Sequence, residues 1–316
     1  MKKNRSHRLK YLDNIGGNKS LLKEIESFCH SQNLPKEQLL NSIQSTYGEV
    51  CQKINNHFIN HQQKTLVIGL NGPQGSGKST LAELLKLILK HLFSLNSLHF
   101  SIDDLYKTRQ QRIEMSEKTH PLFITRGVPG THDIALGINT IQRLKTLNAN
   151  QPAHIPRFNK AIDDREPQEN WQQVTNKPDI IIFEGWCVGS TPLDKQTLIS
   201  PINELENKKD PKGIWRNEVS EYLANEYQAL FKQIDFLIYL KAHNFDDITM
   251  WRQEQEHKLI SKLKQQNKTI NLTMNDQQLK EFMLYFERIT RHNWKTLPKI
   301  ADCNIHLSNA RKPTLI

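Results

Sequence analysis

Hydrophobic positions along the chain fall into two regimes. From residue 64 onward, candidate strands lie at 66–70, 98–102, 180–183, 236–240 and 304–307. Four of them are short apolar runs with polar flanks, the form of strands buried on both faces of a parallel sheet. Between and after them the apolar spacing turns helical, at 79–95, 134–147, 215–231, 246–264 and 276–290. This alternation predicts an α/β fold, a doubly wound parallel sheet of about five strands with crossover helices. Residues 1–63 read differently, as helix throughout. Leu21, Leu22, Ile25 and Phe28 share one face, and Pro35 opens a second helix through Leu39, Leu40 and Ile43 toward Ile54 and Phe58, with Gly16-Gly17 as a loose joint before the first. The organisation expected is a helical extension, 1–63, on an α/β domain, 64–316. The extension carries no evident chemistry and reads as a packing appendage.

Chemistry concentrates where the first strand ends. Gly72, Pro73, Gln74, Gly75, Ser76, Gly77, Lys78 and Ser79 fit G-x-x-x-x-G-K-[ST], with an apolar run before them and a helical run from Thr80 onward. Glycines let backbone N–H groups converge on one point, and the helix that follows adds its positive dipole end. The pattern predicts a nucleoside triphosphate site: Lys78 reaches the outer phosphates and the Ser79 hydroxyl sits on Mg²⁺.

Ligands in such sheets lie at the carboxyl ends of the strands. The second candidate strand ends in Asp103-Asp104-Leu105-Tyr106. A carboxylate there suits a group that positions and deprotonates an acceptor hydroxyl, and either Asp103 or Asp104 fits; a solvated turn is the competing reading. The third ends in Glu184-Gly185, and an acid after so apolar a strand suits a site that organises Mg²⁺. Two loops framed by Gly and Pro hold Arg126, His132 and Asp133, then Arg157, Lys160 and Arg165, groups able to clamp a carboxylate or phosphate. The charged helix around Trp251-Arg252 suits a lid over the phosphates. Arg288 and Arg291, among Phe282, Tyr285, Phe286 and Trp294, are weaker candidates for nucleotide contact, and residues after Ser308 are placed near adenine.

Composition changes this picture little. The chain has 316 residues and a formal charge of +10. Its basic residues are scattered rather than run together, which favours small anionic ligands over nucleic acid. The four cysteines, Cys29, Cys51, Cys187 and Cys303, form no C-x-x-C pair and read as reduced thiols. No secretion signal or bilayer-length apolar run is evident, so a cytoplasmic protein without membrane contact is expected.

In this order the motifs are similar to those of the P-loop kinases of the uridine kinase, pantothenate kinase and phosphoribulokinase superfamily. Within it the chain resembles the plant-type D-glycerate 3-kinases and their fungal ATP-binding relatives. The matching stretches are Gly72 to Ser79, Ser101 to Tyr106, Arg126-Gly127 with Gly130-Thr131-His132-Asp133, Pro156 to Lys160, Phe183-Glu184-Gly185-Trp186, Trp251-Arg252 with Gln255-Glu256, and the run from Asn203 to Arg216. The resemblance implies ATP and Mg²⁺, with a small hydroxy acid as acceptor and D-glycerate first among candidates. It assigns Asp103 as catalytic base, Lys78 and Glu184 as its catalytic partners, and Ser79, Glu184 and Asp103 to the metal. Arg252 joins residues 72–80 at the nucleotide, and Asp104, Tyr106, Arg126, His132, Asp133, Arg157 and Lys160 fall to the acceptor. The substrate loop departs from the relatives' pattern at Phe158 and Asn159. A uridine- or pantothenate-type kinase is the alternative enzyme, and a regulatory ATP-binding protein the alternative from another class.

Overall fold

The computed structural model describes residues 18–148, 151–265 and 273–316; Gly16-Gly17 lies outside them. Its centre is a six-stranded sheet of β1 (Leu66–Asn71), β2 (Ser97–Ser101), β7 (Ile180–Gly185), β8 (Phe236–Ala242), β9 (Cys303–Leu307) and β10 (Pro313–Leu315), in the order β10-β9-β8-β1-β7-β2. All pairings are parallel except β10 on β9. The four short strands β3 (Ala153–Ile155), β4 (Phe158–Asn159), β5 (Asp164–Arg165) and β6 (Gln172–Val174) form two small antiparallel pairs, β3 with β6 and β4 with β5. The sheet is thus one strand larger than the apolar pattern predicts. β10 escapes that pattern because it is a three-residue edge strand opened by Pro313, which a central strand excludes.

The innermost strands explain why the sheet is where it is. All six residues of β1 and all six of β7 are buried, so each is covered on both faces. From β1 the chain crosses to β2, returns to β7, and then passes to β8 on the far side of β1. The strand order therefore reverses at β1, and the crevice beyond its carboxyl end is the ligand position of such sheets.

Eleven α-helices appear among the described residues: α1 (Lys19–Gln32), α2 (Lys36–Ser42), α3 (Gly48–Asn60), α4 (Lys78–Phe93), α5 (Arg109–Lys118), α6 (Ile134–Lys145), α7 (Glu204–Lys209), α8 (Ile214–Ala224), α9 (Glu226–Phe231), α10 (Phe245–Gln265) and α11 (Asp276–Thr296). The run expected as one helix at 215–231 is α8 and α9, broken at Asn225, whose φ of −105° and ψ of −92° leave the helical well. Between α2 and α3 the chain forms a π-helical turn, Ile43–Tyr47. Leu21, Ile25, Ile43, Val50, Ile54 and Phe58 are buried in the same apolar cluster as the sheet residues. The first helices are therefore continuous with the main core. Phe282, Tyr285, Phe286 and Trp294 pack on that core too, as expected for interhelical aromatics. The four cysteines are buried and free. Among the described residues no helix is long and apolar enough to cross a membrane.

Candidate active site

The loop after β1 has the backbone that its glycines predict. Gly75 and Gly77 stand at φ +71° and +85°, where an L side chain is strained. A Cβ on Gly75 would come within 2.7 Å of the Trp251 backbone, whereas one on Gly77 would meet nothing within 4 Å. Gly77 is also the N-cap of α4, and no side chain caps that helix. Free N–H groups at the start of a long helix, on an open loop, are the donors that an anion needs. The Ser76 hydroxyl and the Lys78 ammonium both donate to the Pro73 carbonyl, at 2.7 and 3.1 Å. Burial pulls the Lys78 pKa down, against the opposing charges of Glu184 and Asp103. Ser79 donates to Glu184 Oε1 at 2.8 Å, joining the helix start to the end of β7. Gly72 and Pro73 are buried behind the loop, while Gln74 through Thr80 face a cavity of about 980 Å³.

Asp103 and Asp104 separate by role. The single 3₁₀ turn after β2 (Ile102–Leu105) is closed by a capping box: the Ser101 hydroxyl accepts from the Asp103 N–H, and Asp104 Oδ2 accepts from the Ser101 N–H. Asp104 also accepts from the Phe158 N–H at 3.4 Å, which leaves it holding backbone. Asp103 points its carboxylate at side chains instead. Oδ1 accepts from the Tyr106 hydroxyl at 2.8 Å and Oδ2 from the Lys160 ammonium at 2.6 Å. Burial alone would raise its pKa; the Lys160 charge outweighs that and holds the carboxyl well below the usual range. As arranged, both oxygens of Asp103 are occupied by donors, which does not favour it as a metal ligand. The other two residues expected at the metal, Ser79 and Glu184, are bonded to each other. No group of three or more His, Cys, Asp or Glu side chains able to hold a metal ion occurs among the described residues.

The cations expected around an acceptor divide. Lys160 and Arg126 face the cavity together with Asp103, Asp104, Tyr106 and Glu184. Arg126 pairs with Asp163 and lies 5.6 Å over the Phe158 ring. Arg157 does not join them: its side chain is exposed and off the cavity, and its carbonyl accepts from the Glu166 N–H at 2.8 Å. Arg165 instead pins the chain, donating to the Tyr106 carbonyl at 2.9 Å and pairing with Asp133 at 3.2 Å. Asp133 caps α6 through the Leu136 N–H. His132 is fully buried behind Tyr106, stacked on it at 4.5 Å, with Nδ1 2.5 Å from the Tyr227 hydroxyl. Asp133, Arg157 and His132 therefore do not line the cavity, and His132 lies under the tyrosine that holds Asp103. Phe158 is buried with its ring edge-on to Tyr106, and Asn159 is bound within its own hairpin to Glu166 and Ala161.

At the other end of the cavity stand Arg252, paired with Glu256 at 2.7 Å, and Arg311, which donates to the Gly75 carbonyl at 3.2 Å and pairs with Glu254. Sequence reasoning placed the chain after Ser308 here without singling out Arg311. It also missed Asp163, Tyr227 and the buried Arg112, which donates to the carbonyls of Lys107, Ile124 and Asp163. An Arg facing inward carries no hydropathy signal. Arg288 and Arg291 lie elsewhere: Arg288 grips Glu206 and Arg291 pairs with Glu287 at 2.7 Å.

No family model matches the chain. Among curated proteins it is 31% identical to the uncharacterized kinase mug58 of Schizosaccharomyces pombe, over 71% of this chain and 79% of that one. It is 31% identical to the chloroplastic D-glycerate 3-kinase of Arabidopsis thaliana, over 60% of this chain but 41% of that one. It is 28% identical to the probable ATP-dependent kinase TDA10 of Saccharomyces cerevisiae, over 69% and 74%. Pantothenate kinases match over about half of the chain, that of Streptococcus mutans at 25% identity over 54% of it. Among solved structures, D-glycerate 3-kinase from Cryptococcus neoformans aligns with a TM-score of 0.68 at 22% identity, over 85% of this chain and 99% of that one, which bears on the fold. The open phosphate-type loop, the strand-end carboxylates and these likenesses converge: the chain belongs to the P-loop kinases, in the group that holds mug58, TDA10 and the plant D-glycerate 3-kinase, and is an ATP-dependent phosphotransferase.

Proposed function

We propose that this kinase transfers the γ-phosphoryl group of ATP to a hydroxyl of a small anionic hydroxy acid, with D-glycerate the leading candidate and Mg²⁺ required. One observation carries the reading: a single cavity holds the uncapped loop of residues 74–79, the Asp103 carboxylate bonded to Lys160, and the Arg126 cation. Backbone N–H groups of Gly75, Ser76 and Gly77 hold the donor phosphates, and Lys78 leaves its loop carbonyl to meet the transferred group. Ser79 and Glu184 would hold Mg²⁺, which would supply positive charge against the phosphates. Asp103, oriented by Tyr106, accepts the hydroxyl proton. Lys160 and Arg126 offer their charges to the acceptor's carboxylate, the feature that favours an acid over uridine.

Pantothenate is also a carboxylate, and the pantothenate kinase likenesses keep it as the second reading. ADP release with D-glycerate, pantothenate, uridine or no acceptor, in wild type and Asp103→Asn, separates these. The expected result is turnover dependent on D-glycerate, reduced about 10²- to 10⁴-fold in kcat by Asp103→Asn. Turnover with pantothenate alone would move the substrate and keep the mechanism. ATP binding with no acceptor-dependent turnover would favour a regulatory protein.

A further inference from the structure

The cavity is larger than phosphates and a three-carbon acid need, and one of its walls comes from the N-terminal extension. Leu34, Pro35, Gln38, Leu39, Ser42 and Tyr47 line it together with Leu81 and Leu84 of α4 and with Arg311 and Pro313 near the carboxyl terminus. The placement follows from topology. Asp103 follows β2 at one edge of the sheet, the loop of residues 72–79 follows β1 in the middle, and β10 forms the opposite edge. The π-helical turn is fixed to that edge through the Thr46 hydroxyl, which donates to the Pro313 carbonyl at 3.4 Å. Asn18 and Glu24 tie α1 to His91 near the end of α4. The extension therefore stands on the side of the loop away from the acceptor groups.

The chemistry of this end suits a purine nucleoside. Leu34, Pro35, Leu39, Leu81 and Leu84 give apolar walls for a flat ring. Guanidinium groups of Arg252 and Arg311 give planar cationic faces on which a base stacks. Polar side chains line it too, among them Gln38 and Gln74, whose buried Oε1 has no hydrogen-bond partner. A buried acceptor without a partner is costly and points to a donor supplied by a ligand, such as an exocyclic amine.

We propose that the segment from Leu34 to Tyr47 forms the outer wall of the nucleoside end of the donor pocket, so that the N-terminal extension is part of the ATP site. This rests on the kinase reading above. Inorganic tripolyphosphate and ATP separate the two, because tripolyphosphate reports on the phosphate loop alone. Their affinities are to be measured by calorimetry in wild type, in Gln38→Trp, which places bulk in the pocket from an exposed position, and in Leu34→Asp. The expected result is ATP affinity lowered by about tenfold or more in both variants, about 1.4 kcal/mol per tenfold, with tripolyphosphate unchanged. ATP affinity unchanged in both folded variants, or both ligands weakened alike, would overturn the inference and leave the kinase reading standing. A wild-type chain that binds neither ligand would overturn the kinase reading and this inference with it. Near-native thermal unfolding without ligand shows that the variants are folded.

Discussion

Lys78 illustrates how one side chain acts at two charges. In the resting loop its ammonium, half-buried, donates to the Pro73 carbonyl, and burial lowers its pKa. A phosphate group arriving at the uncapped helix start offers it a full negative partner, a stronger charge-assisted bond than a neutral carbonyl. Lys78→Ala is expected to lower kcat by roughly 10²- to 10³-fold; near-normal single-turnover rates would show that this loop does not carry the reaction. The lysine and its glycines were readable from sequence because a backbone that must curl toward phosphate admits few residue types. His132 was not. Its place depends on Tyr227, 95 residues away, and on the ring of Tyr106 above it. Nothing local distinguishes such a histidine from one that faces a ligand. Asp103 and Asp104 look alike as letters, and only the capping turn decides which is tied to backbone.

Elements were legible where their hydrophobic period was strong and obscure where polar residues did the packing. β1, β7, β8, α4 and α11 fall within a few residues of the expected spans. α5 was missed because its only buried residue is Arg112, whose guanidinium satisfies three carbonyls in place of an apolar contact. The joint between the loop of residues 72–79 and α10 gives a test at this scale. Trp251 is fully buried, with its indole N–H on the Asn309 carbonyl at 2.7 Å and its backbone against Gly75. Gly75→Ala therefore adds a methyl against main chain and forces a left-handed alanine, and is expected to lower stability by about 1–3 kcal/mol and weaken ATP binding. Gly77→Ala has the same backbone strain and open space around it, so thermal unfolding should show the smaller loss, about 1 kcal/mol. Equal losses would mean that the contact with Trp251 does not constrain the loop.

For the whole molecule, the buried layer beneath Tyr106 sets a pH response. Burial pushes the His132 pKa down to about 3, with the Asp103 charge opposing. The ordinary histidine value is about 6.5, so between those limits the unfolded chain binds a proton that the folded chain refuses. Stability is therefore full above about pH 6.5 and falls as the pH drops toward 3, by at most about 1.4 kcal/mol per unit from this group. Urea unfolding at pH 7 and pH 5 is expected to show that loss, and His132→Asn to flatten it whatever its effect at pH 7. An unchanged slope in the variant would place the response elsewhere.

The pairing of Asp103 with Lys160 has a consequence for fidelity. An empty site of this kind holds water and ATP together, and a free carboxylate beside them would activate water as readily as an alcohol. With the ammonium 2.6 Å from Oδ2, the carboxylate is a poor base until something draws that charge away; under the proposed function an incoming acid would do so with its own carboxylate. On the proposed reading the acceptor would thereby unlock the base that acts on it, and ATP would be protected from hydrolysis until it binds. Lys160→Met should raise acceptor-independent ATP hydrolysis relative to phosphorylation of the acid, read as ADP formed per phosphorylated product; a ratio that stays at one would remove the lysine from this safeguard.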